Sequence, residues 1–157
     1  MSGIGYESGN PQSFRDSSSK KEPREKTPEE LLREWQERLG LQDWRIFLRA
    51  AVKKEDMEIQ GVDGCVDWTE SIRTARIDIL AEEDYGDKYI LHFDFEETLV
   101  HELLHLKFSL LDDSRFESAS WMPDRYVHQL IDDLARALVC AKRGILRIEI
   151  KPKEAET

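Results

Sequence analysis

Apolar positions in this chain are concentrated in a few segments whose spacing identifies the elements they belong to. Leu31, Leu32, Trp35 and Leu39 recur at helical intervals. They follow a start signal in which Thr27 caps, Pro28 takes the first helical position and Glu30 completes a capping box. Gly40 ends the run, so the pattern predicts a helix over 28–39. The period then changes to two. Trp44, Ile46 and Leu48 alternate with Arg45, Phe47 and Arg49, predicting a strand that continues to about Lys53. A second short strand is expected over Gly64–Trp68. A third is expected over Thr74–Leu80, where Ala75, Ile77 and Ile79 alternate with Arg76 and Asp78. An acidic loop, Glu82–Asp87, and a short apolar stretch from Tyr89 to Phe93 lead to the next helix.

Asp94 and Glu97 repeat the capping-box spacing ahead of Leu99, Val100, Leu103, Leu104, Leu106, Phe108, Leu110 and Leu111. A helix this apolar on nearly every side is a buried one. The segment from Asp112 to Pro123 is polar apart from Phe116, Trp121 and Met122, and reads as a loop. A last long helix from about Asp124 carries Val127, Leu130, Ile131, Leu134, Leu138 and Val139 and ends near Gly144. The expected fold is α+β: an N-terminal helix, a small three-stranded antiparallel or mixed sheet, a buried helix and a second, C-terminal helix. Residues 1–27 have hardly any apolar content and are expected to be a disordered polar tail. The folded domain is placed at 28–144, and 145–157 is a tail or an extra edge strand.

Composition narrows the function. The 157 residues suit one domain with one modest core. Asp plus Glu number 33 against 23 Lys plus Arg, a net charge of -10, which disfavours nucleic acid and anionic lipid as partners. No stretch approaches the roughly 20 apolar residues of a membrane helix, and the first residues lack the pattern of a secretory signal. Cys65 and Cys140 are too few and too far apart for a disulfide scaffold and read as ordinary thiols. A cytoplasmic protein is expected.

The chemistry is concentrated in His101-Glu102-Leu103-Leu104-His105. A four-residue interval puts both imidazoles on one helical face, where they can bind one Zn²⁺ and leave Glu102 beside its open position as general base. Such a metal brings the pKa of a bound water toward about 7, and the glutamate accepts the proton as that water attacks a carbonyl. Ordinary core packing accounts for one buried histidine. Two, with a glutamate between them in an apolar helix, are costly unless paired or bound to metal.

The segment Thr98–Leu106 resembles the active-site helix of the zincin metallopeptidases, and the element order over about 28–142 is similar to their minimal core. Metzincins fit poorly, because their pattern needs glycine at position 108 and histidine at 111, where this chain has Phe108 and Leu111. Gluzincin-like proteins, including the small ImmA-like and SprT-like peptidases, fit better. The resemblance implies zinc as cofactor, a peptide or protein substrate, and a third ligand on the helix after the motif. His128 is the first choice for that ligand, as SprT-like enzymes complete the site with a third histidine; Glu117, Asp124 and Asp132 are the alternatives. Asp132 could instead hold the second ring nitrogen of His128. It also makes Thr74–Leu80 the candidate edge for pairing with an extended substrate. His92 and Tyr126 are secondary candidates for substrate or oxyanion contacts, with surface exposure and packing the plainer readings. The four tryptophans read as core or rim. The competing reading of the whole is a zinc-stabilised binding or regulatory module without turnover, and a DNA-associated protease is the third, disfavoured by charge.

Overall fold

The computed structural model describes Met1 and residues 24–86, 92–109 and 124–145. Helix α1 runs Pro28–Leu39 with the expected capping box: the Thr27 hydroxyl accepts from the Glu30 amide, and the Glu30 carboxylate accepts from the Thr27 amide. Gly40 closes it at φ 63°, a left-handed conformation that a side chain would disfavour. The Leu41 amide reaches back to the Gln36 carbonyl, and Leu41 itself is buried beneath the helix.

Strands β1 (Arg45–Val52), β2 (Gly64–Thr69) and β3 (Thr74–Leu80) form one sheet in the order β1-β3-β2, with β1 parallel and β2 antiparallel to β3. The mixed alternative is therefore the one realised. The acidic segment after β3 contains a single helical turn, α2 (Glu82–Tyr85), too short to show a period in the sequence. Helix α3 spans Phe95–Phe108 and α4 spans Asp124–Arg143. Among the described residues no helix is long and apolar enough to cross a membrane. The expected tail from residue 2 to 23, the edge strand of 146–150, Leu110 and Leu111 at the end of the buried helix, and the loop of 112–123 lie outside the described residues.

The core lies between the helices and one face of the sheet. Ala75, Ile77 and Ile79 of β3 meet Leu32 and Trp35 of α1, Leu99, Val100 and Leu103 of α3, and Ile131, Ala135 and Val139 of α4. That last row is centred one position away from the expected stripe: Ala135 is fully buried, whereas Leu130 is 44% exposed. Small size hid Ala135 from a pattern drawn on large side chains. On the other face of β3, buried Asp78 takes a two-pronged ion pair from Arg49 of β1.

Helices α3 and α4 run antiparallel along a seam of polar pairs. Arg136 meets Glu97 (3.2 Å), and Lys142 and Arg143 converge on buried Glu96, with Arg143 also on Asp94. Asp94 caps α3 through the amides of Glu96 and Glu97, but Glu97 turns to Arg136, so the expected box is only half built. Glu96 also accepts from the Trp35 indole at 2.7 Å, which ties all three helices together. Burial alone would raise its pKa, yet Lys142, Trp35 and Arg143 together hold it below the ordinary carboxylate range. Glu96→Ala leaves the buried Trp35 indole without its acceptor, while Lys142 keeps Glu34 and Arg143 keeps Asp94. It is expected to cost about 1–3 kcal/mol in urea denaturation, and a change within experimental error would contradict the role given to this network.

Candidate metal centre

The all-round burial of α3 carries the motif into the molecule. Leu99, Val100, Leu103 and Leu104 anchor the helix on both sides, leaving His101 and His105 half-buried on one face and Glu102 only 5% exposed. Their Nε2 atoms stand 3.1 Å apart. Two nitrogens each about 2.0–2.1 Å from one tetrahedral ion lie roughly 3.3–3.4 Å apart, so the pair already sits close to the edge of a coordination tetrahedron. From α4, His128 brings its ring to 4.9 Å from that of His105 and 6.0 Å from that of His101. One donor atom from each of the three histidines lies within 4.8 Å of the others, close enough to hold a metal ion.

Asp132, one turn beyond His128, accepts from Nδ1 of His101 at 2.8 Å. Sequence reading offered it as a partner of His128 or as a ligand; instead it orients the first histidine of the motif. That bond puts the His101 proton on Nδ1 and turns the Nε2 lone pair toward His105. The i, i+4 spacing on α4 thus supplies both the third imidazole and the carboxylate that fixes the first. Glu117 and the side chain of Asp124 lie outside the described residues.

The electrostatics suit a metal. Burial lowers the pKa of His105 to about 4, helped by the two neighbouring rings, and burial also lowers that of His101 against the pull of Asp132. Both imidazoles are neutral near pH 7, the form that coordinates. Burial, followed by the charges of Asp132 and Asp63, raises Glu102 to about 8. A dication among the imidazoles favours its carboxylate and brings that value down.

These groups line one cavity of about 1020 Å³, walled by β2, by the segment preceding it, and by the facing sides of α3 and α4. His92 is exposed on its rim; Tyr126 is 47% exposed on α4. The candidate edge over Thr74–Leu80 is corrected, because β3 is the central strand. Its near-complete burial, Asp78 included, is the mark of that position. The edge beside the cavity is β2, through Gly64, Cys65, Val66 and Trp68. Trp35 is core, Trp44 and Trp68 pack at its margin, and Trp121 lies outside the described residues. Asp63, on the cavity wall, was not singled out by any motif; burial raises its pKa despite His101 nearby.

Comparison with protein-family models, with characterised proteins and with solved structures finds no match.

Two measurements follow from this geometry. Asp132→Asn removes the charge that holds His101 and is expected to weaken metal binding about 10- to 100-fold in a competition titration; unchanged affinity would mean that the His101 contact is incidental. The second concerns the metal-free chain and pH. Below about pH 6.5 the lowered imidazoles make stability rise with pH, while the raised carboxyls of Glu102, Asp63 and Glu97 act in the opposite sense, so the two sets oppose each other there. From about 7 to about 8 the imidazoles are neutral in both states and Glu102, which burial keeps protonated up to about 8, dominates, so stability falls. Denaturation of the metal-free chain is expected to show a decline over that range, and Glu102→Gln to abolish it. A steady rise through pH 8 would contradict this.

Proposed function

We propose that this protein is a small zinc-dependent metallopeptidase of the zincin type, with His101, His105 and His128 as ligands and Glu102 as general base. The observation that carries the reading is the convergence of three imidazoles and a buried glutamate, without an ion-pair partner among the described residues, on one open cavity. The donor set fits: neutral imidazoles with an open fourth position favour Zn²⁺ over the harder ions, and the Asp132–His101 pair is the arrangement that orients such ligands. Zinc bound there supplies Lewis-acid polarisation of the scissile carbonyl and acidifies a water.

The remaining work falls to the chain's own side chains. Glu102 accepts the proton of the attacking water and delivers it to the departing amine. Its enclosure by α3 and β2 keeps competing solvent away from the carboxylate. Among the described residues β2 is an edge strand beside the cavity, and it offers an extended peptide a strand to pair with.

The test is cleavage of a randomised peptide mixture by the zinc-loaded chain, read by mass spectrometry with and without chelator. Discrete cleavages that vanish with chelator and return with zinc are expected. Tight zinc binding with no cleavage, together with unfolding on metal removal, would select the non-catalytic zinc-stabilised module instead.

A further inference from the structure

Position 64 faces α3. In the β2–β3 register Gly64 pairs with Ile79, Val66 with Ile77 and Trp68 with Ala75, and the β3 members of these pairs all point into the helix-side core. By alternation a side chain at 64 would leave the strand toward the motif helix. The space is taken. A Cβ on Gly64 would stand 2.8 Å from Oε1 of Glu102, 3.1 Å from its Cγ and 2.8 Å from the Cγ2 methyl of Thr98, one turn earlier on α3. Gly64 is not among the glycines with positive φ, so its backbone would accept any L-residue. The demand for glycine here is purely steric.

The three contacts differ in kind. Thr98 is β-branched, and its hydroxyl is held by the Asp94 carbonyl at 3.1 Å, so its methyl cannot swing away without losing that bond. The carboxylate of Glu102 ends a flexible chain and has no hydrogen-bond partner among the described residues to hold it. It is the group that yields. From this we infer that Gly64 is a positioning residue for Glu102: the missing side chain makes the slot in which the carboxylate lies, on the wall of the cavity that it shares with the three imidazoles. The catalytic consequence rests on the function proposed above, whereas the steric coupling does not.

The experiment uses the full chain and separates the two. The reference for the cycle is Thr98→Ser, which deletes the methyl 2.8 Å from a Cβ at 64 and keeps the hydroxyl bond. Thermal midpoints of the metal-free protein are measured for this reference, with Gly64→Ala, with Glu102→Ala and with both added, alongside the visible spectrum of each Co²⁺-loaded protein. Gly64→Ala is expected to lower the midpoint in the presence of Glu102. Most of that loss should disappear in the Glu102→Ala background, where Cγ and Oε1 are gone, because alanine otherwise favours folding by restricting the unfolded chain. Gly64→Ala is also expected to bind Co²⁺ at full stoichiometry with a spectrum shifted from the reference, since the Glu102 carboxylate has moved. A Gly64→Ala chain that folds only when Glu102→Ala is also present would give the same result in stronger form. An equal loss in both backgrounds, or a Co²⁺ spectrum identical to the reference, would overturn the inference. Failure of the peptidase reading alone would leave the coupling intact and appear only as absent cleavage.

Discussion

Glu102→Gln is expected to keep zinc at one ion per chain and to lower peptide cleavage by about 10²- to 10⁴-fold, the usual contribution of a positioned general base. The amide is nearly isosteric with the carboxylate, so the slot beneath Gly64 stays filled and the imidazoles keep their places. What disappears is the capacity to accept a proton. The loss should fall on kcat, with KM little changed, because Glu102 interacts with the reacting water rather than with the peptide. The variant should also be more stable than wild type in the metal-free state above about pH 8, since it no longer carries a carboxylate whose charged form burial disfavours. Full activity in Glu102→Gln would remove this residue from the mechanism even if the metal site stood.

His128→Ala carries the second large effect. A four-ligand zinc site has a total binding free energy on the order of 10–16 kcal/mol, so one imidazole accounts for roughly 3–4 kcal/mol, a 10²- to 10³-fold change in affinity. His101 and His105 remain on their helical face, held by α3 and by Asp132, and should still retain a weakly bound ion. Because the His128 side chain is exposed on α4, its loss should scarcely change the stability of the metal-free chain. The two readouts together identify a ligand: affinity collapses while the metal-free fold does not. Wild-type affinity in this variant would return the third position to Glu117, Asp124 or Asp132.

The helices were legible because their signals are local. Thr27, Pro28, Glu30 and Gly40 mark both ends of α1 within a few residues, and the motif on α3 is written in five consecutive positions. The strands were legible as strands, but their order was not. A two-residue period says which face of β3 is apolar and nothing about which neighbour it takes, so the central strand was read as an edge. The same limit applied at the site. His128 was found because the resemblance asks for a third ligand on the helix after the motif, yet the bond from Asp132 to His101 depends on how far α4 slides along α3. Gly64 carried no signal, since a glycine at the start of a strand looks like a turn residue until the packing of β2 on α3 is known.

The central claim is that three histidines from two helices form one metal centre, and its most direct measurement is zinc per chain. Wild type purified without added metal, then equilibrated with zinc and freed of excess, should hold one ion. That ion should be lost on dialysis from His101→Ala and His105→Ala, weakened in His128→Ala and fully retained in Glu102→Gln. A wild-type chain that holds no zinc under these conditions would contradict the account, reducing His101, His105 and His128 to packing between α3 and α4.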